Sequence, residues 1–120
     1  MKQFSFEKLN VWQKAKTLAV NIYTITEKFP QSERFGLISQ LRRCSISISS
    51  NIAEGTGRNS TKDKARFTEI AYASLMELLN QLIITHDLGF ITQDRYESFR
   101  KDIEEIGRML NALRKSQLNS

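Results

Sequence analysis

Cys44 and His86 are the only cysteine and histidine in this 120-residue chain. Together they are the minimum for nucleophilic catalysis, a thiol with an imidazole base. Their settings point elsewhere. Cys44 stands among Ser and Ile on a helical stripe, where a free cysteine acts as a small buried hydrophobe. His86 falls near the C-terminus of a predicted helix, where a positive charge is favourable. A lone cysteine excludes an internal disulfide and a CxxC site, and with one histidine no ordinary zinc site can be built within one chain. The serines between Ser45 and Ser50 contain neither a GxSxG elbow nor an SxxK pair. Gly55-Thr56-Gly57-Arg58 is too short for a Walker loop and follows a helix instead of a strand. Glu54 and Glu77 are carboxylates of the type used in acid–base or metal chemistry, but no histidine lies three residues after any glutamate. Catalysis is therefore the weakest functional class, and no catalytic residue, metal or cofactor is expected.

Positive charge is the stronger signal. The net charge is +5, and it is unevenly placed. Residues 1–60 carry nine Lys/Arg against four Asp/Glu, whereas residues 61–120 carry nine of each. Arg42, Arg43, Arg58, Lys62, Lys64 and Arg66 flank one predicted interhelical loop or lie on the helices it joins. If they share a face, they form a phosphate-binding patch for RNA or DNA. The competing reading is a solvated surface that maintains solubility.

Four helices must position these groups. Val11, Ala15, Leu18, Ile22, Ile25 and Phe29 step by three and four, and Pro30 ends the first helix. Trp12 and Tyr23 flank that stripe as core or interface anchors in preference to base-stacking platforms. Residues 1–8 read as an extended lead-in pinned by Phe4 and Phe6. Ser32 is the expected N-cap of the second helix, with Glu33 in its first turn. Ser45 to Ser49 alternate with Ile46 and Ile48 like a strand. The longer series Ile38, Leu41, Ser45, Ile48, Ile52 is helical, with small residues at positions that Leu usually takes. Ile46 and Ile48 lie on different sides, so this helix should be covered on more than one side.

Asn51 and Glu54 are costly on an apolar helix end unless paired, so they are expected to bond a neighbouring loop or subunit. Gly55 is expected to close the helix in the left-handed conformation. Ser60 with Asp63 starts a third helix, whose stripe of Phe67, Ala71, Ser74, Leu78 and Leu82 is widened by Ile70, Leu75, Leu79 and Ile83. Leu88-Gly89-Phe90 reads as its glycine stop. Thr92 caps a fourth helix carrying Tyr96, Phe99, Ile103, Ile106, Leu110 and Leu113. Gly107 inside it implies a close crossing, and residues 116–120 should fray. Short loops make neighbouring helices antiparallel. The expectation is an all-α, up-down-up-down four-helix bundle forming a single domain over 1–120. No apolar run spans a membrane, and the N-terminus has no signal core, so a cytoplasmic protein is expected.

The chain resembles the bacterial four-helix-bundle proteins encoded by intervening sequences in 23S rRNA genes, also called S23-like. The resemblance runs through Leu9-x-Val11-Trp12-Gln13-x-Ala15, Phe29-Pro30 with Glu33, and Leu37 with Gln40-Leu41-Arg42-Arg43. It continues through Ser50-Asn51-Ile52-Ala53-Glu54-Gly55 with Gly57-Arg58, Ser74-Leu75-x-Glu77-Leu78, Leu88-Gly89, and Ile106-Gly107-Arg108-Met109-Leu110. Members often carry Pro in place of Ser49 and Ala in place of Cys44. The resemblance implies an antiparallel bundle that assembles as a ring, typically a homopentamer, and carries over no catalytic residue. The chain also looks like the accessory proteins of diversity-generating retroelements, basic pentamers that bind nucleic acid and a reverse transcriptase. The leading expectation is a non-catalytic homo-oligomer that binds structured RNA or DNA. The alternative is an interaction scaffold, for example an accessory subunit of a reverse transcriptase or another nucleic-acid enzyme. Five copies would carry about +25, a field strong enough to concentrate phosphates.

Overall fold

The computed structural model describes all 120 residues. Its helices are α1 (Asn10–Thr26), α2 (Ser39–Thr56), α3 (Thr61–Asp87) and α4 (Gln93–Leu118), with no strand between them. Cross-links between named residues show how neighbours run. Arg42 at the start of α2 bonds Thr26 at the end of α1. Ser47 meets Ser74 across α2 and α3, and Arg114 late in α4 meets Glu69 early in α3. Lys14 early in α1 pairs with Glu105 of α4. These contacts are compatible with an up-down arrangement of the four helices. The body measures 45 × 29 × 21 Å. No helix is long and apolar enough to cross a membrane.

The expected stripes of α1, α2 and α4 enter the core, whereas α3 buries Ala71, Leu75, Leu78 and Leu82 of its expected face and leaves Ile70 and Ile83 exposed. Ile38, Leu41, Ser45, Ile48 and Ile52 are all buried, as are Val11, Ala15, Leu18 and Ile22 of α1 and Phe99, Ile103, Ile106 and Leu110 of α4. Small Ser45 at a core position is satisfied within its own helix, its Oγ donating to the Arg42 carbonyl at 2.9 Å. The predicted caps of the last two helices are present. Ser60 Oγ accepts from Asp63 N at 3.1 Å and Thr92 Oγ1 from Arg95 N at 3.2 Å. Gly89 is the one glycine with a positive φ, 81°. Phe90 N then donates back to the Thr85 carbonyl, and the Phe90 ring folds onto Phe29 at 5.6 Å.

Four local expectations are corrected. The lead-in is not wholly extended, because Ser5–Lys8 form a 3-10 turn in which Phe6 packs edge-on against Trp12 at 5.0 Å. Ser32 does not cap α2. It lies in a 3-10 turn, Gln31–Glu33, followed by a wide π turn, Arg34–Ile38, that leads into the helix. Gly55 is helical, and the helix ends only after Thr56. Its missing side chain serves packing, since a Cβ there would stand 3.0 Å from Phe67 Cβ and 3.4 Å from the Lys64 carbonyl oxygen. Asn51 does not reach a neighbouring loop. Its Nδ2 donates to the Ser47 carbonyl at 2.8 Å and to Ser47 Oγ at 3.1 Å, one turn back on the same helix.

Candidate nucleic-acid interface

The six candidate cations separate into four places because the helices project them differently. Arg42 points inward at the α1–α2 junction. Its Nε donates to Thr26 Oγ1 at 2.9 Å, and Nη2 reaches the Tyr23 carbonyl at 3.4 Å and Glu27 at 3.2 Å. The guanidinium also covers the Tyr23 ring at 4.6 Å. Tyr23, expected as a core or interface anchor, is exposed and lies under the Arg42 guanidinium. A guanidinium held by one ring and three oxygens has little left to offer a phosphate.

Arg58, Lys62 and Arg66 form the second group. Arg58 follows the end of α2, and Lys62 and Arg66 are exposed one turn apart on the first turns of α3. Spacing by four places the latter two on one helical face. The Arg58 guanidinium lies over the Phe67 ring at 4.4 Å, which restrains the side chain without using its N–H groups. The close α2–α3 approach at Gly55 brings Phe67 beneath Arg58. Ion pairs within the chain involve only Lys14, Arg42, His86 and Arg114. The three cations therefore have no carboxylate within pairing distance. Glu54, four residues before Arg58, is exposed and unpaired. Glu69, next along α3, is taken by Arg114 at 2.6 Å.

Lys64 and Arg43 fall outside that cluster. Lys64 is half-buried and faces a pocket shared with Thr56, Asn59, Thr61, Leu113 and Gln117, on the side of α3 toward α4. Arg43 is exposed near the start of α2, about 20 Å of helix from Arg58. It lines a groove between α2 and α3 together with Phe35, Ser47, Ser74, Glu77 and Gln81. Sequence reasoning singled out neither Phe35 nor Gln81. Phe35 is 89% exposed, yet its type alone suggests a core residue. Its one sequence signal is Gly36 beside it, where the chain makes the π turn.

Cys44 and His86 do not meet. Cys44 is 3% exposed, and its thiol donates to the Ser74 carbonyl at 3.0 Å. Burial, and then the nearby Glu77 carboxylate, push its pKa up to about 12. A thiol so protonated is a poor nucleophile. His86 is stacked on Tyr96 at 4.2 Å, with Asp87 at 3.8 Å from Nδ1. No three His, Cys, Asp or Glu side chains come together as a metal site.

A family model described as 23S rRNA-intervening sequence protein matches residues 7–112. No curated protein matches the chain. Among solved structures it is similar to the crystal structure of a protein of unknown function from the S23 ribosomal protein family of Bacteroides thetaiotaomicron. The two are 27% identical with a TM-score of 0.81, over 88% of this chain and 95% of that one. The chain belongs to the 23S rRNA-intervening sequence protein family.

Proposed function

Starting from membership of that family, we propose that the chain is a non-catalytic homo-oligomer, a pentamer as the resemblance implies, that binds RNA or DNA. The observation that carries this reading is the cluster of Arg58, Lys62 and Arg66, exposed at the α2–α3 turn without carboxylate partners. Three unpaired cations projecting from one turn release counterions when they meet a phosphate backbone. Binding of this kind is sequence-tolerant and weakens steeply with salt. The settings of Cys44 and His86 support a role without catalysis.

The apolar surface supports self-association. Ile46 on the outer side of α2 is 43% exposed, and Ile84 on α3 is 45% exposed. Around Ile46 the surface of α2 is lined by Ser39, Ser50 and Ala53, none of which is buried. Small side chains let another helix come close. The same surface favours a second reading, a scaffold that docks another protein such as a nucleic-acid enzyme and uses its charge for solubility.

An anisotropy titration against a structured RNA, at low and moderate salt, separates the two. Binding that weakens with salt, and is lost when Arg58, Lys62 and Arg66 are all replaced by Ala, supports the proposal. Absence of binding at low salt removes it and leaves the scaffold. Light scattering tests the assembly separately, since a particle of 13.9 kDa, the mass of one chain, contradicts oligomerisation.

A further inference from the structure

The groove between α2 and α3 holds the chain's one buried side-chain polar atom without a hydrogen-bond partner, Gln81 Oε1. Gln81 is 7% exposed, and its Nε2 donates to Glu77 Oε2 at a long 3.4 Å. Leaving an acceptor buried and unmatched is costly, so such an atom calls for a donor. Beside it stands the exposed Glu77 carboxylate, which pairs with no cation of the chain. The groove thus presents adjacent acceptors from two residues one helical turn apart. Its rim carries the exposed Phe35 ring, and Arg43 adds a cation. Ser47 and Ser74, bonded to each other at 2.9 Å, line the groove between the helices. The volume is about 440 Å³, within the roughly 300–1,000 Å³ of small-molecule sites.

A ligand that answers all of these groups must carry neighbouring N–H donors on a flat ring and a negative charge nearby. An arginine side chain from a partner would satisfy the acceptors and the ring but would face Arg43 with a like charge. A guanine nucleotide satisfies all of them. We infer that this groove takes up an unstacked guanine of a single-stranded RNA segment, an inference that rests on the nucleic-acid reading above. Guanine presents N1–H and the two N2–H donors in a row, running from its Watson–Crick edge onto its sugar edge. Glu77 accepts two of them, and Gln81 Oε1 the third. The terminal torsion of Gln is soft, so its carboxamide turns toward the ligand without leaving a rotamer. Phe35 stacks on the base and Arg43 holds the adjoining phosphate, a combination that RNA-binding proteins use for splayed bases.

The test uses the full chain and two uridine-rich RNAs that differ at one position, guanine in one and inosine in the other. Inosine lacks the N2 amine and nothing else. The guanine RNA is expected to bind at least about tenfold tighter, because inosine forfeits an N2–H bond to the charged Glu77 and another to Gln81. Glu77→Gln should reduce that ratio severalfold, with Gln81 still accepting from N2, while leaving the salt dependence and the helical circular dichroism intact. Phe35→Ala should weaken both RNAs together by about tenfold. Equal, salt-sensitive binding of both RNAs by the unaltered protein overturns the guanine site and leaves the general function standing. Binding of neither at low salt removes both. A preference that Glu77→Gln leaves undiminished overturns the placement. Dissociation of the oligomer in Glu77→Gln assigns the carboxylate to a neighbouring copy, which also overturns it. Free guanosine monophosphate should compete only at far higher concentration than the RNA. Competition at equal concentration makes the ligand a free nucleotide and overturns the strand.

Discussion

Arg42 and Arg58 look equivalent in the sequence, and replacing each by Ala should separate two kinds of arginine. Arg42→Ala removes a neutral-acceptor hydrogen bond to Thr26 at 2.9 Å and a cation–π contact at 4.6 Å. Each is worth about 0.5–1 kcal/mol at a half-exposed site. The contact to Glu27 at 3.2 Å adds little, because that carboxylate side chain is 75% exposed. Thr26 keeps its own bond to the Ile22 carbonyl at 2.7 Å, so no group is orphaned. The expected loss is about 1–2 kcal/mol, or roughly 4–10 °C in Tm for a domain of this size. Melting is followed by circular dichroism at a fixed protein concentration, since oligomerisation couples Tm to concentration. The slope of log K for RNA against log salt should not change. Arg58→Ala should do the opposite, shifting Tm by no more than a few degrees and making that slope shallower by about 0.7–0.9. A shallower slope with an unchanged Tm in Arg42→Ala would refute the division.

Two glycines should respond with opposite signs. Gly55→Ala places a Cβ 3.0 Å from Phe67 Cβ and 3.4 Å from the Lys64 backbone oxygen, and should destabilise by about 1–3 kcal/mol in a denaturant titration. Gly107→Ala meets only Leu75 and Tyr72 side-chain atoms at 3.6 Å, an ordinary contact, so the helix gains up to about 1 kcal/mol. Cys44 favours its neutral thiol in the folded state, so its contribution is complete below pH 9.0 and is lost as pH rises toward about 12. Stability relative to Cys44→Ala should therefore fall by up to about 1.4 kcal/mol per pH unit across that window. An identical pH dependence for both proteins would contradict it. Burial, then the neighbouring Glu105, raise the Asp102 pKa, with Lys14 opposing. The charged form is the costly one, so Asp102→Asn should stabilise at pH 7. That advantage should fade as pH falls through the folded pKa toward 3.8, read from paired urea titrations.

Much of the architecture is legible because periodicity reports burial directly. Ile38, Leu41, Ser45, Ile48 and Ile52 announce a buried stripe through spacing alone, even with serine in the middle. Ser60, Thr92 and Gly89 are legible because caps and stops depend on a few adjacent residues. Gly55 misleads because a glycine near a helix end has two physical uses, and only the distance to Phe67 shows which applies. Asn51 misleads for a related reason. A polar side chain in a helix can satisfy itself on the preceding turn, as its bonds to Ser47 show.

The site is less legible than the fold, since a cation's availability is set by what lies across from it. Arg42 and Arg43 are adjacent in the chain and about 100° apart around the helix. One turns onto Tyr23 and Thr26, the other onto an open groove. No pattern along α2 alone distinguishes them, because the oxygens that occupy Arg42 belong to α1. Gln81 is the same problem in reverse. As a mid-helix glutamine it suggests a solvated face, yet it is buried and its amide oxygen has no partner within the chain. The residues that best discriminate among functions here are thus defined by absent partners. Arg58, Lys62 and Arg66 lack carboxylates, and Gln81 lacks a donor. An unmatched exposed cation costs almost nothing in water, whereas an unmatched buried acceptor does, so the two absences carry different weight. The arginine cluster indicates that a polyanion would be tolerated anywhere along that turn. The buried amide oxygen demands a particular atom, and a donor-bearing base edge supplies it.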